Sequence, residues 1–216
     1  MYVKLIYLFL LLLITVLGIA RYKKLAIPFK LLTAIIGITF ILESITWVLA
    51  IYYHDTRPLA HVMSLAELNF YFSIFYFLFN QKIVKRIIIG LIVFFNIFSV
   101  INSFFFQPYH NNFPSNVLLP VQICYALLSL VMFRQMLSNA LDINITKQSI
   151  FWFNSAMLFL STSLFFYLGL NNYFVIHHLN FHILGTFNYG INLIFYTMAG
   201  YSIYLNSKEI YLKNEE

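Results

Sequence analysis

Glu43 and Glu67 are the acidic residues of this chain that lie inside long apolar stretches, and they pose the first chemical question. A charge at mid-membrane costs about 2.5–3.5 kcal/mol on insertion scales, so such a side chain turns to a bundle interior or to water. Thr39 and Trp47 lie four residues either side of Glu43 and share its helical face. Tyr71 lies one turn from Glu67. One reading of this pair is two acids lining a polar cavity or a proton path. The plainer reading is that each is neutral and hydrogen-bonds a neighbouring helix. If the chain is an enzyme, Glu67 is the available general base.

The histidines raise a second question. His54, His61, His110, His177, His178 and His182 all fall on the side of the chain's connections that is poor in lysine and arginine. His178 and His182 are four apart, so on a helix they leave from one face. That spacing suits two imidazoles on one metal ion. Zinc in a catalytic site takes three protein ligands and keeps one position open for water. His54 or His61 would be the third ligand, and Glu67 a fourth ligand or the base that activates bound water. The plainer reading is that histidine, polar and only partly charged, suits a membrane interface.

Polar stripes accompany these residues. Asn96, Ser99 and Ser103 share one helical face, as do Gln122, Tyr125 and Ser129. A third stripe aligns His182, Gly185, Tyr189, Asn192, Tyr196 and Gly200. Small and polar residues join membrane helices, at about 0.6 kcal/mol per hydrogen bond, so packing is their default role. The sharper expectation is a binding cavity where Glu43, Glu67, Tyr71, Tyr189 and Asn192 meet.

The elements that must position these groups follow from hydropathy. The chain has 216 residues, 62% of them hydrophobic and 9% charged. A soluble domain draws about a quarter of its residues from the charged types, so there is too little charge here for a soluble shell. The mean hydropathy of +0.83 agrees. A span needs about 20 apolar residues. Seven stretches qualify, near 2–20, 31–53, 62–79, 87–106, 117–133, 150–170 and 179–205. The expected fold is all-α: residues 1–216 form a single bundle of seven transmembrane helices with short loops.

Orientation follows from the basic residues, which are retained on the cytoplasmic side during insertion. Arg21, Lys23, Lys24, Lys30, Lys82, Lys85, Arg86, Arg134, Lys147, Lys208 and Lys213 fall in the first, third and fifth connections and the tail. The other side holds only Lys4 and Arg57. This places the N-terminus outside and the C-terminus in the cytoplasm. The first span is expected to be retained, because its basic group follows the apolar stretch, whereas a signal peptide opens with one. The net charge of +6 reflects this cytoplasmic bias rather than nucleic acid. The single cysteine, Cys124, matches no disulfide or metal spacing. A Gly-rich phosphate loop is absent, and the seventh span has no lysine for a retinal Schiff base.

The segment His178-Leu-Asn-Phe-His182-Ile-Leu-Gly-Thr-Phe-Asn-Tyr189 resembles the last helix of alkaline ceramidases. These belong with the adiponectin receptors to a superfamily of seven-helix membrane hydrolases. The resemblance covers one span of seven. It implies zinc held by His178 and His182 and hydrolysis of a lipid amide. That family has a further histidine ligand with a serine four residues before it, whereas Ala50 precedes His54 and Arg57 precedes His61. The whole chain also resembles small seven-helix bacterial membrane proteins and the sensor modules of bacterial membrane kinases. That resemblance implies a bacterial inner membrane as the location.

The leading expectation is a ligand-binding or sensing module in the lipid bilayer. Having no chemistry and no soluble output domain of its own, it would act through a membrane protein partner. The alternatives are a zinc-dependent lipid hydrolase at the outer leaflet and a proton-coupled transporter.

Overall fold

The computed structural model describes residues 2–52, 56–110, 112–138, 144–176 and 182–213, without the side chains of 171, 172, 174–176, 182, 183 and 210–213. Among the described residues the fold is all-α. Seven long helices follow one another: α1 Tyr2–Ala20, α2 Ile27–Tyr52, α3 Arg57–Leu78, α4 Lys82–Ile101, α5 Ser115–Ser138, α6 Ser149–Ile176 and α7 His182–Lys213. Five stretches are long and apolar enough to cross a membrane: α1, α2, α4 with the turn that extends it to Phe106, α5 and α6. The helices α3 and α7 carry more polar residues, among them His61, Glu67 and Asn69 on α3 and Asn188, Asn192 and Asn206 on α7. Both are packed into the bundle, where these groups find partners or a cavity.

Hydropathy marks the apolar part of each helix and not its ends. The first helix coincides with its expected span. The third begins five residues before the expected apolar stretch, at Arg57, with Pro58 in the first turn where its missing N–H is not needed. The last has 32 residues and is about 48 Å long at 1.5 Å per residue, well beyond a hydrocarbon core of about 30 Å.

Each helix packs on the next, and α7 packs back on α1, so the bundle closes into a ring. Contacts of α2 with α7 and of α3 with α5 cross its interior. Two glycines set the closest approaches. A Cβ on Gly18 would lie 2.4 Å from Thr33 Cγ2, and one on Gly200 would lie 2.9 Å from Ile14 Cγ1. These positions let α1 approach α2 and α7 more closely than any larger residue would allow.

The interior is aromatic. Tyr7, Tyr71, Phe72, Phe75, Phe79, Tyr125, Phe153, Phe195 and Tyr196 are buried. Their rings interlock across helices: Tyr7 with Tyr196 at 5.9 Å, Tyr71 with Phe195 at 6.0 Å, and Tyr71 with Tyr125 at 5.9 Å. The outer surface of α4 is apolar instead, with Ile83, Ile87, Phe94, Ile97 and Phe104 to Phe106 all exposed. A water-facing helix would turn such residues inward, so this exposed face is what a lipid-embedded bundle presents.

Two ends of the bundle differ in chemistry. One end gathers the α1–α2, α3–α4 and α5–α6 connections and the C-terminal part of α7. Here Asn206 Oδ1 accepts from the backbone N–H of Ala26 at 2.9 Å, at the start of α2. The Glu209 carboxylate accepts from Ser149 N at 2.5 Å and from Ser149 Oγ at 2.6 Å, at the start of α6. The last turns of α7 thus cap two other helices, whose first N–H groups have no partner of their own. Arg21 donates to Ser207 Oγ at 2.7 Å and lies over the Tyr204 ring. Lys30, Lys85 and Lys208 lie over Tyr22, Tyr76 and Tyr204.

The opposite end closes differently. A π turn over Asn102–Phe106 ends α4, with Gln107 N donating to Asn102 O at 2.7 Å. The Gln107 amide then bridges Asn102, Ser115 and the backbone N–H of Asn116 near the start of α5.

Candidate binding cavity

A cavity of about 290 Å³ lies between α1, α2, α3, α5, α6 and α7, with α4 outside it. It extends inward from the α2–α3 connection, where Thr56, Arg57 and Phe113 form its rim. Helix α3 supplies most of one wall through Ala60, Met63, Ser64, Glu67, Leu68 and Tyr71, residues that recur at one-turn intervals along a single face. Opposite it stand Gln122 and Tyr125 of α5, Leu164 and Tyr167 of α6, and Asn188, Asn192 and Tyr196 of α7. Tyr7 of α1 and Glu43 of α2 complete the lining. Pro120 lies inside α5 between the lining residues Leu118 and Val121, and it has no N–H to give to the preceding turn.

The two acids differ in their surroundings. Glu43 Oε2 lies 3.9 Å from Lys4 Nζ, and both side chains are largely shielded. The Glu67 carboxylate has no hydrogen-bond donor or ion-pair partner among the described residues. It is close enough to Glu43 to interact electrostatically, and close in the same sense to the tyrosines Tyr7, Tyr71, Tyr125 and Tyr196. The Tyr196 hydroxyl lies near those of Tyr7, Tyr71 and Thr39. The Tyr125 hydroxyl points to the backbone carbonyls of Glu67 and Leu68, each 3.5 Å away. Gln122 is buried, 4% exposed, and its Oε1 has no partner among the described residues.

Of the five residues expected to form a cavity, Glu43, Glu67, Tyr71 and Asn192 line this one. Tyr189 is one ring removed, 5.8 Å from Tyr7. The stripes of α5 and α7 bring Gln122, Tyr125, Asn192 and Tyr196 to the same space as the two acids. The α4 stripe does not. Asn96 exchanges two hydrogen bonds of 3.0 Å with Asn69 of α3, and Ser103 meets His61. That stripe joins two helices. Tyr7, Arg57, Tyr167 and Asn188 were not singled out by sequence. Tyr7 stands in a helix that is otherwise almost uniformly apolar, so no periodic signal marks it. Lys4 and Arg57, the two cations on the histidine-rich side, both belong to the cavity region.

The histidines do not form a described metal centre. His54 and His178 lie outside the described residues, and His182 begins α7 with its side chain outside them. The pairing of His178 with His182 on one helical face therefore falls outside the described residues. His61 is buried, with Nε2 3.0 Å from the Asn112 carbonyl and Nδ1 3.0 Å from Ser103 Oγ. A carbonyl can only accept, so Nε2 carries a proton, and both ring nitrogens are engaged. Among the described residues no three His, Cys, Asp or Glu side chains stand close enough to hold a metal ion.

Compared with known proteins, the chain matches no family model, no curated protein and no solved structure.

Proposed function

We propose that this protein is a membrane-embedded binding module, crossing a cytoplasmic membrane seven times with its N-terminus outside. A small ligand enters from the outer face at the α2–α3 connection and occupies the central cavity. The observation that carries this reading is the convergence of polar side chains from six helices on one space, while the lipid-facing surface stays apolar. Ligand sites are largely apolar clefts with a few placed polar groups, commonly from about 300 Å³ upward, and they occur between the helices of bundles. A ligand that touches six helices favours one arrangement of them over another, and that preference is the signal such a module passes to a membrane partner.

The N-out, C-in orientation draws on the basic end of the bundle, where cations lie over tyrosine rings, as residues at a membrane interface do. A C-terminal tag accessible only from the cytoplasm is the expected result; an externally accessible tag overturns the topology. Binding is tested by filling the cavity. Ala60→Phe places a ring in the space near its rim. The variant is expected to remain folded in nanodiscs and to lose ligand-induced stabilisation. Equal stabilisation of the variant and the natural protein would move the binding site elsewhere.

A further inference from the structure

We infer that the ligand of this cavity is a small protonated amine, a primary or secondary ammonium. It would be held by the Glu67 carboxylate within a wall of tyrosine rings. The inference rests on the binding reading above and names the ligand's chemistry.

Charge comes first. Of the two acids that line the cavity, Glu43 has Lys4 as its counter-ion at 3.9 Å. Glu67 has none among the described residues. A carboxylate away from bulk water calls for a cation or a donor, and the unfilled space beside Glu67 admits a ligand that brings both.

Hydrogen-bonding polarity comes second. Gln122 lines the same cavity, but its Oε1, without a donor among the described residues, has almost no accessible surface and is not offered to a ligand. Glu67 when ionised is acceptor-only. Glu67 is thus an unmet acceptor among the described residues, and it calls for a ligand with N–H donors. An anion or a quaternary ammonium brings none.

The wall comes third. Tyr7, Tyr71, Tyr125 and Tyr196 line the same cavity as Glu67. Aromatic faces attract cations within about 6 Å, more strongly where water is excluded. Ring contacts such as Tyr71 with Tyr125 and Tyr7 with Tyr196 hold these side chains in place before a ligand arrives. Little ordering is then left to oppose binding.

The test uses the full chain in nanodiscs and two probes of matched shape, phenethylammonium and its neutral analogue 2-phenylethanol, with empty nanodiscs as the control for partition into lipid. The expected result is saturable binding of phenethylammonium, at least about tenfold tighter than the alcohol, as for one charge-assisted hydrogen bond. Glu67→Gln is expected to weaken the amine by about tenfold or more and to leave the alcohol unchanged. Should that variant fail to fold, the comparison of amine and alcohol on the natural protein decides alone. Equal affinity for the two probes, or full amine affinity in Glu67→Gln, overturns the amine inference. So does binding of neutral or carboxylate compounds when no amine binds; in each of these cases the binding reading stands. Failure of every amine, neutral compound and carboxylate in the panel to bind overturns the binding reading itself.

Discussion

Two carboxylates, Glu209 at the basic end and Glu67 in the cavity, sit in the same bundle under opposite conditions. Glu209 accepts two hydrogen bonds from Ser149 and lies near Asn206 Nδ2 at 3.3 Å. It stands at the N-terminus of α6, where unpaired N–H groups and the helix dipole both favour a negative charge. Glu67 has neither donor nor cation among the described residues and faces open space. A saturated polar network fixes helices in place. A polar group left unsaturated beside a cavity stabilises nothing in the empty protein, so its use lies in what enters. The contrast extends to neighbours: Asn206 caps α2, whereas Gln122 Oε1 has no donor among the described residues.

The largest effect is expected where the network is most complete. Glu209→Ala removes both Ser149 contacts and the charge at the start of α6. It should lower stability by about 2–3 kcal/mol, seen as a lower thermal midpoint of the purified protein. Unchanged unfolding would mean that α6 is capped from elsewhere and that the two ends do not differ as described.

Close packing gives the next effect. Gly18→Ala drives a methyl group into buried Thr33, whose branched side chain has little room to turn. Overpacking of this kind costs about 1–3 kcal/mol. The double variant Gly18→Ala with Thr33→Ser should recover part of the loss by the same thermal measurement.

Asn206→Ala is expected to cost about 1 kcal/mol, the usual worth of a helix cap. The smallest effect belongs to Lys4 and Glu43. In a double-mutant cycle with Lys4→Met and Glu43→Gln, the coupling should be about 0.5–1 kcal/mol, as for a partly shielded ion pair. A coupling indistinguishable from zero would leave Glu43 as uncompensated as Glu67, and the division between the two acids would fall.

Much of this was legible in the chain, for reasons that differ by residue. Glu43 and Glu67 announce themselves because charge is expensive in an apolar stretch. Asn192 and Tyr196 do so by their spacing on α7, and Gln122 and Tyr125 by theirs on α5. Spacing assigns residues to a face but does not say which faces meet, so the α4 stripe looked equivalent to the others and proved to be a helix joint through Asn69 and Asn96. Tyr7 was not legible, since an aromatic residue in an almost uniformly apolar helix carries little periodic contrast. His61 shows the limit of residue type as a guide. Its imidazole suggested a metal, and its nitrogens are met by Ser103 and Asn112, neither near it in sequence. The ends of α3 and α7 were not legible either, because they run through residues, Arg57 and Pro58 on α3 and Asn206 to Glu209 on α7, that hydropathy does not count as part of a span.

The most direct test is thermal unfolding of Glu67→Gln and Glu209→Gln side by side in nanodiscs without ligand. Each exchange keeps the shape of the side chain and removes its capacity to ionise. The Glu209 variant should unfold at a clearly lower temperature, and the Glu67 variant at the same temperature as the natural protein or above it. An equal loss in both would make Glu67 a structural group and would contradict the division between a fastened end and an open cavity.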